Sequence, residues 1–120
     1  MRASYIVFNA LKHLADGRVF ISPRPESADQ TVPYITHQMI GRVPINTLDG
    51  YTQHDRVRVQ IDVYAQTYSD AELLMHRVKM SINNASGAPI IDAEQSAYEY
   101  DAKLHRVTVD IFLSETMDHD

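Results

Sequence analysis

The 120-residue chain has no cysteine and only four glycines. Lack of cysteine removes disulfides, thiolate nucleophiles and Cys-based zinc sites together, and fits a reducing compartment. Four glycines are too few to build a phosphate cradle by motif. No Walker loop, G-x-S-x-G or dinucleotide fingerprint occurs. Long apolar runs are missing too: the opening MRASYIVFNALKHL is broken by Asn9, Lys12 and His13 and is followed by no small-residue cleavage site. The expectation is therefore no signal peptide and no membrane span, with cytoplasmic synthesis. Positive charge is not in surplus, with 11 Lys and Arg against 16 Asp and Glu and a formal net charge of -5. A dedicated nucleic-acid binder would carry the opposite balance, because its affinity rests on cations at phosphates.

What is present is strong patterning on a length that suits one domain, residues 1–120, able to bury roughly two-thirds of its unfolded surface. Ala3, Val7, Ala10, Leu11 and Leu14 fall at helical spacing and Gly17 sits where a left-handed residue ends a helix, so residues 1–16 read as an N-terminal helix. RVFI, residues 18 to 21, reads as a short strand, and SPRPESADQTVP with its three prolines as an irregular connection. Alternation resumes in PYITHQMIGRV, with Ile35, His37 and Met39 on one side, Tyr34, Thr36, Gln38 and Ile40 on the other, and Gly41 marking a bulge. Residues 44 to 54 read as a long connecting loop around the turn dipeptide Asp49-Gly50.

DRVRVQIDVYA then alternates without a break: Val57, Val59, Ile61 and Val63 face a core, while Arg56, Arg58, Gln60, Asp62 and Tyr64 face away. Ser69 and Glu72 read as a capping box for a helix whose stripe is Ala71, Leu74, Met75, Val78 and Ile82, ended by Gly87 and Pro89. The last third reads as two strands around a turn at residues 101–103, with Tyr100 opposite Leu104, Tyr98 opposite Arg106, and a flexible tail over 114–120. The fold class is α+β: a two-layer sandwich, a mostly antiparallel sheet with two helices packed on one face.

If the strands at 55–65 and 104–113 are neighbours, one register sets Arg58 opposite Asp110, Gln60 opposite Thr108, Asp62 opposite Arg106, and Arg56 over Phe112. Such pairs contribute roughly 0.2–1 kcal/mol each. The plain reading of this charged side is a solvated sheet face. Tyr64, Tyr98, Tyr100 and Phe112 are expected to share it with the arginines, however, and Tyr with Arg is the mixture enriched where protein surfaces meet. A subunit or partner contact through Arg56, Arg58, Asp62, Tyr64, Tyr98, Tyr100, Arg106 and Asp110 is the expectation, with the loop residues Asp49, Gly50 and Tyr51 as a second contact.

No reaction is legible. The six histidines form neither H-E-x-x-H nor a pair at metal spacing on one element, and no cofactor or metal site is expected. His54 beside Asp55 is the nearest thing to an acid/base pair, His37 reads as a hydrogen-bonded core histidine, and Asp118-His119-Asp120 lies in the expected tail.

The run PYITHQMIGRVPINTLDGYTQHDRVRVQIDVYAQTYSDAELLMHRV, followed by YEYDAKLHRVTVDIFLS, resembles the tail-completion proteins of long-tailed bacteriophages over about residues 17 to 114. The specific part is the DG-Y loop followed directly by RVRVQIDVYA. The resemblance implies a virion assembly protein, not an enzyme, that caps the head-proximal end of the tail tube, ends tube growth and mediates head-tail joining. It implies a self-associated ring, a hexamer, with the tail tube protein and a head-side connector as partners, no membrane, no specific nucleic-acid binding, and DNA passing through the lumen. Its place would be the virion tail, and the host cytoplasm during assembly. Two other readings stay open from the residues alone: a small homodimeric ligand-binding module, and a small hydrolase or isomerase using His54, Asp55 or His105.

Overall fold

The computed structural model describes residues 1–25 and 31–116. Helix α1, Ala3–Leu11, leads through a single 3-10 turn at Ala15–Gly17 into strand β1, Val19–Ile21. Strands β2, Tyr34–Thr47, and β3, Gly50–Ala65, follow, then helix α2, Tyr68–Asn83, and strands β4, Ile90–Glu99, and β5, Leu104–Thr116. The five strands form one sheet in the order β1-β2-β3-β5-β4. Only β1 runs parallel to its neighbour β2; the other three pairings are antiparallel.

Alternation explains the middle of that sheet. Val57, Val59, Ile61 and Val63 of β3, and Val107, Val109, Ile111 and Leu113 of β5, are each at most 1% exposed and form one buried cluster with Ile35 of β2. Ala3, Ile6, Val7 and Leu11 of α1 and Ala71, Leu74, Met75, Val78 and Ile82 of α2 complete it. Each Val, Leu, Ile or Met side chain so removed from water stabilises by about 1.5–3 kcal/mol, so this cluster holds the domain together.

The ends of the elements differ from expectation in ways with local causes. α1 stops at Leu11 because Leu14 is pulled into the core in an extended conformation, and Gly17, with φ of 82°, closes the 3-10 turn instead. α2 is capped by Thr67, whose hydroxyl accepts from Asp70 N at 3.1 Å, and not by Ser69. Glu72 accepts instead from the Tyr68 hydroxyl at 2.5 Å. Ser114, Glu115 and Thr116 belong to β5 and not to a tail, because Glu115 is buried against α1; residues 117–120, including the Asp118-His119-Asp120 run, lie outside the described residues.

The expected loop at residues 44 to 54 is a projecting β-arm. Thr47 pairs Gly50 and Asn46 pairs Tyr51 across a two-residue turn at Leu48 and Asp49, and Gly50 takes φ of 105°, a region glycine enters at little cost. A bulge opposite Ile45 absorbs Thr52, Gln53 and His54, with the Thr52 hydroxyl donating to Ile45 O at 2.7 Å. The bulge expected beside Gly41 is present, between Met39 and Gly41. The arm lengthens the molecule to 52 × 28 × 25 Å.

Candidate assembly interface

Register decides which side chains meet, and it differs from the expected one by two residues. β3 and β5 set Arg58 opposite Phe112, Gln60 opposite Asp110, Asp62 opposite Thr108, Tyr64 opposite Arg106 and Arg56 opposite Ser114. A two-residue slip leaves every side chain on its own face, so alternation alone could not distinguish the two registers. Arg58 still reaches Asp110 diagonally, Nη2 to Oδ2 at 2.5 Å, and this hydrogen bond raises the guanidinium pKa. Asp62 accepts a short hydrogen bond from the Thr108 hydroxyl and another from Gln60 Nε2 at 3.1 Å. Its neighbour is thus a hydroxyl and not the expected Arg106.

The even-numbered face of β3 and β5 is therefore partly internal structure. Tyr34 and Tyr64 stack with ring centroids 4.6 Å apart and planes within 12°, and Arg24 lies 3.9 Å over the Tyr34 ring. Burial raises the pKa of both phenols; Arg24 partly opposes this for Tyr34, and Arg106 does so for Tyr64. Arg106 Nε approaches Glu99 Oε1 at 3.1 Å. Arg56 Nη1 holds Ser114 Oγ at 2.9 Å and Ala88 O at 3.2 Å, tying the loop after α2 to the sheet. Of the charged residues expected on this sheet face, Arg58 is the one whose side chain remains about half exposed, at 48%.

Tyr98 is displaced from this face. The β4–β5 connection spans four residues, so Tyr98 pairs His105 and Glu99 pairs Leu104. The one-residue difference turns Tyr98 to the core side of the sheet, where its ring centroid lies 4.9 Å from that of His105, with Tyr68 of α2 6.1 Å from the same imidazole. Tyr100 sits in the turn, 82% exposed and edge-on to Tyr98. A bulge between Ile91 and Glu94 separates Asp92 from Glu94, and Glu94 pairs with Lys79 of α2 at 2.6 Å.

At the root of the arm, Glu115 accepts from Ala3 N at 2.8 Å and makes a short hydrogen bond with Arg42 Nε. Burial alone would raise its pKa, but Arg42 and the Ala3 N–H at the start of α1 outweigh burial and hold the carboxyl below its usual range. Nearby, the Tyr51 hydroxyl donates to Asp55 Oδ1 at 2.8 Å, and that bond raises the phenol pKa. His54 points away from this pair: its Nδ1 contacts the Thr116 hydroxyl at 2.9 Å, so His54 and Asp55 do not form the acid/base pair their adjacency suggested.

Asp49, Gly50 and Tyr51 lie at the arm's tip, beyond the β3–β5 pairing that begins at His54. Beside them are residues the sequence reading passed over: Val43, Ile45 and Leu48, all large, apolar and exposed, with Leu48 entirely so. The signal available was Leu48 itself, a large apolar side chain directly before the turn dipeptide Asp49-Gly50, where polar residues are usual. A second apolar feature was also missed. Tyr5 and Phe8 of α1, Ile21 of β1 and Pro25 line a groove of about 470 Å³ whose floor is His37. His37 is 3% exposed, its pKa is lowered by burial, and its Nε2 has no hydrogen-bond partner among the described residues, where a satisfied core histidine was expected.

Among the described residues no group of three or more His, Asp or Glu side chains gathers where it could hold a metal ion, and no helix is long and apolar enough to cross a membrane. An α+β domain that exposes both an apolar arm and an apolar groove has surfaces suited to contacts with other chains. Its fold is similar to that of a chain in a solved structure described as the virion of a native gene transfer agent (GTA) particle, with a TM-score of 0.60 at 11% identity, covering 98% of this chain and 89% of that one. The family model of the tail completion protein gp17 matches residues 6–112, and the chain belongs to that family. No curated protein matches it. The role is accordingly structural, in phage tail assembly.

Proposed function

We propose that this protein caps the head-proximal end of the tail tube, ends tube growth and offers the surface that joins the filled head, working as a six-membered ring of identical chains. Family membership over residues 6–112 carries the reading. A ring needs a contact between two different surfaces of the same chain, and such a contact closes only when the rotation between neighbours returns to its start. The tail tube protein and a head-side connector are the partners. Contact residues are those left accessible by the internal network: Arg58, Tyr100, and Asp49 and Tyr51 on the arm. DNA passes through the lumen without being held, in keeping with a net charge of -5.

Light scattering across a concentration series, alone and with purified tail tubes, tests the stoichiometry. A six-fold species in either condition is expected, and tubes growing from purified tube protein should stop lengthening when this protein is added. A monomer or dimer that ignores tubes, with elongation unaffected, would remove the reading and favour a two-fold binding module.

A further inference from the structure

We propose that the contact between neighbouring copies is made by the tip of the β2–β3 arm of one chain seated in the groove between α1 and β1 of the next. This rests on the ring reading and names its surfaces. The arm presents Leu48, fully exposed, followed by the exposed carboxylate of Asp49. The groove presents what such a tip needs: apolar walls from Tyr5, Phe8 and Ile21, which are 58%, 41% and 66% exposed, in a volume within the range of roughly 300–1,000 Å³ that binding clefts occupy.

The groove also carries a demand that an apolar side chain alone leaves unmet. His37 is buried on its floor with Nε2 unpartnered among the described residues, and buried ring nitrogens are nearly always hydrogen-bonded. A hairpin tip satisfies both requirements, because its turn offers backbone polar groups beside the apolar side chain. Charge agrees as well: Lys12, the exposed residue that caps α1, follows Phe8 by one helical turn on the same side of the helix, which leaves its positive charge available to Asp49.

A chain cannot fill its own groove. β1 pairs with β2 at Ile21 and His37, and the arm's tip begins only at Thr47, roughly 30 Å further along the same strand. In a ring this contact is head-to-tail, each chain giving one arm to the next and receiving another from the one before, whereas two chains exchanging arms would close at the dimer.

Absence of native cysteine makes disulfide trapping a clean test. Purified Leu48→Cys and Ile21→Cys variants, mixed and oxidised, should give a covalent dimer as the main product. Leu48→Cys mixed with Met80→Cys, an exposed position on α2, should give at least ten-fold less. A double Leu48→Cys, Ile21→Cys chain should give a ladder ending in one closed product. Wild-type protein is measured beside them by light scattering, alone and with tail tubes. If it forms rings while the Leu48–Ile21 pair links no better than the control, the arm–groove contact is wrong and the ring reading stands. If Leu48→Cys links instead to tube protein, the occupant is the tube and not a second copy, which also overturns the proposal. If wild type stays monomeric throughout and no pair links, both readings fall.

Discussion

Single side chains in this protein divide into those that hold the sheet and those left for contact, and substitution separates the two. Glu115 belongs to the first group, since it is buried while capping α1 through Ala3 N and pairing with Arg42. Glu115→Ala leaves the α1 N–H and the guanidinium without their acceptor and should cost about 2–3 kcal/mol in urea unfolding, with Glu115→Gln losing less because its amide oxygen still accepts from Ala3. The pH sign follows from the lowered folded pKa: the stabilisation is fully present above the usual Glu value, about 4.3, and is lost as pH falls through the lower folded value. Wild type and Glu115→Gln should thus converge below about pH 4, and a constant gap down to pH 2 would show that the carboxylate's charge contributes nothing. Arg58 belongs to the second group. Its half-exposed pair with Asp110 is worth at most about 1 kcal/mol, so Arg58→Glu should leave the melting curve nearly unchanged while weakening assembly with the tube or head-side partner. Arg106→Glu should instead destabilise the monomer by about 1–2 kcal/mol, because it strikes the contacts with Glu99 and Tyr64. Equal behaviour of the two variants would erase this division.

Elements meet through backbone as well as side chains, and Gly87 shows how tightly. A Cβ there would lie 2.9 Å from Ser114 O and 3.2 Å from Ile6 Cδ1, and φ is already 87°. Gly50 shares the positive φ, at 105°, but opens onto empty space. Gly87→Ala should therefore cost about 2–4 kcal/mol and Gly50→Ala about 1, measured by chemical unfolding. Equal losses would mean that left-handed backbone alone, and not close packing of the α2–β4 loop on β5, sets the cost. The same scale shows what could be read beforehand. β3 and α2 were legible because their buried positions repeat every second residue and every third or fourth, and burial of Val57 to Val63 and Ala71 to Ile82 enforces those periods. The register of β3 on β5 was not, because cross-strand pairs of roughly 0.2–1 kcal/mol cannot outvote whatever places Glu115 under α1. Tyr98 was misplaced by one residue of turn length, which reverses a face. The arm was hidden because it has no buried side to impose alternation: Pro44, Asn46 and Gln53 look like loop residues, and only the paired backbone shows otherwise.

On the scale of the molecule, the arm sets the shape. A compact domain of this length has a radius of gyration of about 13.6 Å, against 15.2 Å here. None of the residues 43–54 belongs to the buried cluster, so the arm adds reach without adding core. Joining Pro44 to Asp55 through an Asn-Gly turn removes it at a point where the two are already paired. The fold should survive with a loss of about 1–2 kcal/mol, chiefly the Tyr51 hydroxyl on Asp55, or a melting point lower by about 4–8 °C. X-ray scattering should show the radius of gyration falling toward the compact value while ring formation and tube capping are lost together. A shortened chain that still forms rings would assign the neighbour contact to the sheet face around Arg58. A chain that no longer unfolds in one cooperative transition would make the arm part of the folding unit. Retained folding with lost assembly is the outcome that follows from where this protein keeps its apolar surface: Leu48, Ile45 and Val43 contribute nothing to the monomer's core, so their burial can occur only against another chain.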